Sequence, residues 1–411
     1  MLELSIKEKE RIGKLLKYYR KKNKVQWKEI ESILSKSTYW KLENGKISKK
    51  IEIYNKLFNL YNLTYLKKDN FKEWFNDYLI RMNDALEYCK EEEYDSLIDE
   101  LEKELGPYKN TIIYEQYYQV ITYILNYYQY SKYMTMEEIE DCFLLFDCFD
   151  FEETIMIYLL ETISISNTNV HFNYELGNRL TSYINKINHP IMFYHIGYFH
   201  KRNGDFEKAL SMYDYCKHYW EKNKNVYRYI HSLMGEFIVY KNIDKSKATE
   251  IISIFNDLKT SNKISQTMLP RLNYNIAMFY YMNYEYEKAL SYFLENINNF
   301  KEYKDLVLVC SICTQLDYSI PSIINDICIL DHPHKNYLNY YKMKYLGEKT
   351  EKLVDYIFKD IIPNELNHQI YEHPFWRIFE EELLHFSRKD KRYAMKLVEY
   401  IEKKKKICKK G

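Results

Sequence analysis

Glycine and proline are scarce, at nine and seven in 411 residues. Tight hairpins draw on both, so a sheet-rich fold with many short turns is excluded, and long helices joined by brief polar breaks remain. The eight cysteines, Cys89, Cys142, Cys148, Cys216, Cys310, Cys313, Cys328 and Cys408, lack any framework spacing, and no secretory segment precedes them. Reduced thiols in a cytoplasmic protein are expected. Long apolar runs are missing too: "QYYQVITYILNYYQYS", Gln116–Ser131, is uncharged but too short and too polar to span a bilayer. There is no P-loop, no dinucleotide-binding glycine pattern and no Gly-x-Ser-x-Gly elbow. Nothing in the sequence argues for an enzyme, a cofactor or a metal.

Three groupings invite chemistry and are better read as structure. Cys310-x-x-Cys313 sits inside the apolar run "LVLVCSICTQL" with no second pair at zinc spacing, so two core cysteines are expected. "DHPHK", Asp331–Lys335, reads as a proline-broken connector, and His368 and His373 flank a turn. The closing "KKKKICKKG" reads as a solvated tail.

What is abundant is aromatic and helical. The chain is 46% hydrophobic with 45 Tyr and 20 Phe. An AT-rich coding sequence also produces such an excess of Tyr, Asn, Lys and Ile, so tyrosine alone carries no functional argument. The net charge of +1 conceals an asymmetry. Residues 1–70 hold 18 Lys and Arg against 8 Asp and Glu; the rest of the chain holds 42 against 51. A basic head on a mildly acidic body directs phosphate attraction to the head.

Within that head, "KEKERIGKLLKYY" places Ile12, Leu15, Leu16 and Tyr19 on one helical face. "VQWKEIESIL" gives Trp27, Ile30 and Leu34 at helical spacing. Ser35 is a suitable N-cap for a third helix, Lys36 to Glu43, which buries Tyr39 and Leu42 and turns Lys36, Ser37, Trp40 and Lys41 outward. Gly45 suits a left-handed C-cap. A fourth helix places Ile53, Leu57, Leu60 and Tyr61 inward. Short helices with a tight turn before Ser-Lys-Ser-Thr describe a helix-turn-helix, whose recognition helix lies in the major groove.

"SKSTYWKLENGK", Ser35–Lys46, resembles the core of the Xre/Cro repressor family, with Leu-Glu-Asn-Gly-Lys its most specific part. The resemblance covers roughly residues 10–64. Two departures stand out: the segment from Val25 to Gly45 is a residue or two short, and Trp40 replaces a small polar residue. The resemblance implies DNA contact through Gln26, Lys28, Lys36, Ser37, Thr38, Trp40, Lys41 and Lys46.

From Phe71 onward, helix, polar break and helix recur. In "FYHIGYFHKRNGDFEKALSMYDYCKHY", Gly197 is followed twelve residues later by Ala209 and then by Tyr213. In "NYNIAMFYYMNYEYEKALSYFLENI", Ala277, Tyr280, Ala289 and Phe293 keep that spacing. Small residues there let antiparallel helices approach closely while aromatics fill the groove between pairs. The pattern resembles the tetratricopeptide repeat, with a period near 40 and a weaker pair over Val226–Leu258. About nine helix pairs are expected, starting near 71, 111, 151, 190, 226, 266, 303, 335 and 371.

The expected fold is therefore all-α: a helix-turn-helix bundle over 1–66, a hinge at Asn62–Asn70, and a right-handed tetratricopeptide-like solenoid over 67–411. By the repeat family's spacing, Tyr194, Tyr198, Lys201 and Arg202 line the concave face in one repeat. Arg271, Tyr274 and Tyr281 do so in another, with Asn275 beside them. As a whole the chain resembles the Rgg/PlcR/NprR group of peptide-responsive regulators. That resemblance implies a cytoplasmic, dimeric transcription factor whose repeats bind a short signalling peptide, with double-stranded DNA as its other partner and no membrane association. The alternative is a repeat-type adaptor for partner proteins with a vestigial head.

Overall fold

Amphipathic segments separated by short polar breaks leave the chain one way to bury its apolar stripes, which is helix against helix. In a computed structural model the described residues are 4–169, 174–296, 303–326, 335–363 and 373–408. Among them the fold is all-α, with a single isolated bridge between Thr64 and Thr111. Asp331–His334 and His368 lie outside the described residues, as does the side chain of His373. The chain divides into two compact units, Met1–Ile243 and Asp244–Gly411.

The first unit opens with α1 (Ile6–Lys22), α2 (Trp27–Glu31), α3 (Lys36–Glu43) and α4 (Ile51–Tyr61). Ile12, Leu15, Leu16, Tyr19, Tyr39 and Leu42 are buried as the periodicity predicts. The fourth helix is rotated by about one position from the expected face. Tyr54 and Phe58 join Leu57 and Tyr61 in the core, while Ile53 and Leu60 are half-buried. The rotation lets the Tyr54 hydroxyl accept the Ser48 N–H at 3.0 Å while its ring is enclosed.

The rest of this unit is organised around α5 (Phe71–Tyr88), α7 (Tyr114–Tyr130), α9 (Glu153–Asn169), α11 (Pro190–Arg202) and α13 (Val226–Ile243), the first helices of the repeats. Their second helices within the unit are α6 (Tyr94–Leu105), α8 (Met136–Phe146), α10 (Tyr174–Ile184) and α12 (Phe206–Lys222). The second unit holds α14 (Lys245–Thr260), α15 (Leu269–Met282), α16 (Tyr286–Glu295), α17 (Tyr303–Gln315), α18 (Ile323–Asp326), α19 (Lys335–Tyr345), α20 (Thr350–Tyr356), α21 (His373–Lys389) and α22 (Ala394–Cys408).

The small-residue spacing has the packing consequence that the sequence suggests. Helix α12 packs against both α11 and α13. Tyr213, 1% exposed, lies in the notch made by Gly197 and Gly235. A Cβ at Gly197 would stand 3.0 Å from the Tyr213 ring, and one at Gly235 only 2.7 Å from it. Any larger residue at Gly235 would push the tyrosine out and part the repeats. Cys310 and Cys313 are buried in α17.

Residues 62–70, expected as a hinge, are tied down. The Ile112 N–H donates to the Thr64 carbonyl at 3.0 Å and Thr64 Oγ1 donates to the Asn110 carbonyl at 2.9 Å. The Lys68 N–H donates to the Tyr114 hydroxyl at 3.2 Å, and Lys68 pairs with Glu104 at 2.7 Å. Polar side chains that mark a linker by composition here find fixed partners, so the segment is a strap.

Candidate nucleic-acid interface and repeat-domain site

The third helix is positioned by contacts on its inner side. Ser35 adopts extended backbone angles and its Oγ accepts the Thr38 N–H at 3.4 Å, capping α3. At the other end Gly45 takes φ +77°, and its N–H donates to the Leu42 carbonyl at 2.8 Å. Between the caps, the Tyr39 hydroxyl bonds the Leu16 carbonyl at 3.1 Å and the Tyr61 hydroxyl at 2.6 Å. Gly13 of α1 brings the two helices close enough that a Cβ would lie 2.4 Å from the Leu42 carbonyl oxygen. Glu43 is buried and clamped by Arg20, whose Nε and Nη2 donate to its two oxygens at 2.7 and 3.1 Å. The Glu of the Leu-Glu-Asn-Gly motif is thus a structural anchor for α3.

The outward side is different. Gln26, Lys28, Lys36, Ser37, Trp40, Lys41 and Lys46 are exposed, with Trp40 59% accessible; Thr38 is half-buried, its hydroxyl 2.9 Å from Ser35 Oγ. Among the described residues, none of Lys28, Lys36, Lys41 and Lys46 forms an ion pair with a carboxylate. The Lys36 ammonium instead lies over the Trp27 ring at 4.8 Å, with Arg20 at 4.5 Å on the same ring.

Helix α1 carries basic residues too, and three of them are paired with acids of the body. Lys14 pairs with Asp150 at 2.5 Å, Lys22 with Asp141 at 2.6 Å and Arg11 with Glu152 at 3.6 Å. Tyr18 donates to Asp141 at 2.9 Å, and Tyr19 donates to Glu115 at 2.5 Å while accepting from Gln116 at 2.8 Å. Part of the head's positive charge is therefore consumed in docking, whereas Lys28, Lys36 and Lys41 on the α2–α3 face have no carboxylate partner among the described residues.

The residues expected to line a repeat groove fall into the two units. In the first, Tyr194 is half-buried and packs against Tyr213 at 5.4 Å, between repeats. Tyr198, Lys201 and Arg202 lie together at the end of α11, with the Lys201 ammonium 4.2 Å above the Tyr198 ring and the Arg202 guanidinium 5.8 Å from it. Tyr198 and Arg202 also line a hollow of about 20 Å³, with Ser164, Asn167, Thr181 and His195 among the other walls. In the second unit Arg271 is exposed and Tyr274 and Asn275 are half-buried, the Asn275 amide donating to the Arg271 carbonyl at 2.8 Å. Tyr281 departs from expectation: it is fully buried, its hydroxyl donates to Glu381 at 3.0 Å and Arg377 covers its ring. It faces α21 because the buried Glu381 carboxylate needs donors there, and so it lines no groove.

A buried polar network went unnoticed in the sequence. Arg228 Nη1 donates to Glu161 Oε1 at 2.7 Å, and Nη2 reaches the Tyr128 hydroxyl at 3.0 Å and the Leu86 carbonyl at 3.2 Å. Tyr128 donates to Glu161 at 2.6 Å, and His195 Nε2 lies 3.7 Å from it. Burial alone would raise the Glu161 carboxyl; Arg228 and His195 overturn that and hold it well below the usual carboxylate range. Asn225 donates to the Glu87 carbonyl at 3.0 Å and Tyr158 to that of Asn83 at 3.2 Å. These bonds satisfy carbonyls at the end of α5 and hold it against α9 and α13. The chain's own α5 thereby covers part of the first-helix face of this unit. The signal was a lone Glu and a lone Arg, each inside an apolar or aromatic helical run.

Burial and the like charges of Arg202 and Lys241 push Lys201 down to about 8, and burial lowers Lys241 as well. Lys241 was not among the expected site residues. No helix of the described residues is long and apolar enough to cross a membrane, and no cluster of metal-binding side chains occurs among them.

Comparison with known protein families and with curated proteins returns no match. Among solved structures the chain is similar to the apo form of the quorum sensor NprR from B. thuringiensis, with a TM-score of 0.56 at 13% identity. The match covers 81% of this chain and 100% of that one. At that identity the likeness establishes the fold, a tetratricopeptide-like helical array.

Proposed function

We propose that this chain is a peptide-responsive transcriptional regulator, cytoplasmic and dimeric, with a helix-turn-helix head over 1–66 and a sensing repeat domain over 67–411. The observation that carries the DNA reading is the sorting of charge in the head. Lys14 and Lys22 on α1 are paired with acids of the body, whereas Lys28, Lys36, Lys41 and Lys46 are exposed, like Trp40, with no carboxylate partner among the described residues. An unneutralised basic face on a capped, rigidly held helix is what attraction to phosphate requires, and Ser37 and Lys41 are within the part of such a helix that meets base edges.

The repeat-domain reading is supported by the resemblance to a quorum sensor in fold and by the Tyr198–Lys201–Arg202 cluster. In this reading a short peptide shifts the placement of the two heads in a dimer, to the extent that it binds one arrangement more tightly than the other. Half-sites about one DNA turn apart are then matched or missed.

The test is duplex binding by fluorescence anisotropy across a salt series, using genomic fragments and the full chain. Wild-type affinity should fall steeply with salt. Lys36→Ala with Lys41→Ala should flatten the logarithmic slope by about 2, at roughly 0.9 for each phosphate that a lysine no longer neutralises. An unchanged slope in the double variant, with helicity intact by circular dichroism, would remove α3 from the interface.

A further inference from the structure

Helix α3 carries one large apolar side chain on its outward side. Trp40 is 59% accessible, whereas Trp27 and Trp74 are half-buried and Trp220 is buried. The Trp27 ring is occupied by Lys36 and Arg20. The Trp40 ring has neither a cation nor another ring against it among the described residues. The backbone beneath it is fixed: the preceding residue, Tyr39, is fully buried with its hydroxyl on the Leu16 carbonyl, and the Asn44 amide donates to the Trp40 carbonyl at 2.7 Å. A rigid helix therefore holds an open indole away from its own core.

The short polar side chains nearby have hydrogen bonds within the head. Thr38 shares one with Ser35, Asn44 uses its amide on Trp40, and the Gln26 amide donates to the Lys24 carbonyl at 3.1 Å. Ser37, three positions before Trp40 and so on its helical face, has no side-chain hydrogen bond among the described residues. Lys28, Lys36, Lys41 and Lys46 are exposed without carboxylate partners among the described residues, and that charge is complementary to the phosphates of a duplex. In the major groove the base edges are polar with one exception, the thymine C5-methyl group. Lysine and serine read polar edges; an indole, apolar except for its single N–H donor, matches the methyl.

We infer that Trp40 packs against a thymine methyl in the major groove and makes thymine a requirement at a defined position of the operator. This rests on the DNA-binding reading and narrows it. The Xre/Cro pattern has a small polar residue at this place, so the contact is particular to this chain.

The experiment uses the full chain and a pool of duplexes with a randomised core. Duplexes retained at low salt are sequenced, and the strongest is measured by fluorescence anisotropy with 2′-deoxyuridine replacing each thymine in turn. That exchange removes the methyl group and leaves base pairing unchanged. At one thymine position the exchange should weaken wild-type binding about fourfold, the worth of one methyl-sized group taken out of water. Trp40→Ala should bind the thymine and uracil duplexes equally, and Trp40→Phe should keep part of the difference, both with wild-type helicity by circular dichroism. Wild-type indifference to uracil at every position would overturn the inference, as would a fourfold effect that persists in Trp40→Ala; salt-dependent retention of duplexes would then leave the DNA-binding reading standing. Uracil indifference together with a change of elution volume for DNA-free Trp40→Ala would place Trp40 in a contact between copies of the chain and overturn the inference. Retention of no duplex at low salt would overturn both.

Discussion

Replacing Arg228 by Met keeps the length of the side chain and removes the cation from beneath Glu161. Three groups would lose their donor or neighbour: the Glu161 carboxylate, the Tyr128 hydroxyl and the Leu86 carbonyl at the end of α5. His195, at 3.7 Å, would be the remaining positively chargeable neighbour of Glu161. Glu161 is 4% exposed and Arg228 6%, so water cannot substitute. Breaking a buried pair by removing one partner costs about 3–5 kcal/mol. In a unit of this length, Met1–Ile243, each kcal/mol lowers the melting temperature by about 2–4 °C, which gives a drop of roughly 6–20 °C. Differential scanning calorimetry of the full chain, following the transition of the first unit, is the assay. Adding Glu161→Gln should recover part of the loss, because the carboxylate that was stranded is then neutral. A melting point within about 2 °C of wild type for Arg228→Met alone would refute the reasoning, since it would mean that the network does not depend on its cation.

Two further outcomes follow from the same structure. Gly13→Ala places a Cβ 2.4 Å from the Leu42 carbonyl oxygen, so α3 must move off α1; duplex binding should fall at least tenfold, measured by anisotropy, while the transition of the second unit is unchanged in calorimetry. His189 is held at about 4 by burial and by the Arg228 charge, below its usual 6.5. Between those values the unfolded chain binds a proton that the folded chain refuses, so stability falls as pH drops from 6.5 to 4, by roughly 3 kcal/mol at most, and is fully present above 6.5. His189→Asn, which can still accept the Ile191 N–H, should flatten that part of a urea-denaturation profile; an unaltered slope would exclude His189 as its source.

Helix placement was legible because it is local. First helices were expected to start near 71, 111, 151, 190, 226, 266, 303, 335 and 371, and helices begin at 71, 114, 153, 190, 226, 269, 303, 335 and 373. The caps of α3 were readable for the same reason, since Ser35 and Gly45 act on backbone groups three residues away. Side-chain facing was less so. Tyr281 sits at a spacing that suits an open face, yet a carboxylate 100 residues away, Glu381, draws it inside.

By itself, then, the sequence determined an array of amphipathic helices, a capped third helix in a basic head, and small residues where repeats close on Tyr213, because each follows from periodicity and nearest-neighbour backbone chemistry. Only the tertiary structure decided which lysines of the head are paired with acids of the body and that α5 is held against α9 and α13 through Arg228. Those outcomes depend on groups between 67 and 142 positions apart along the chain, and no local pattern encodes a pairing that exists only once the helices have stacked.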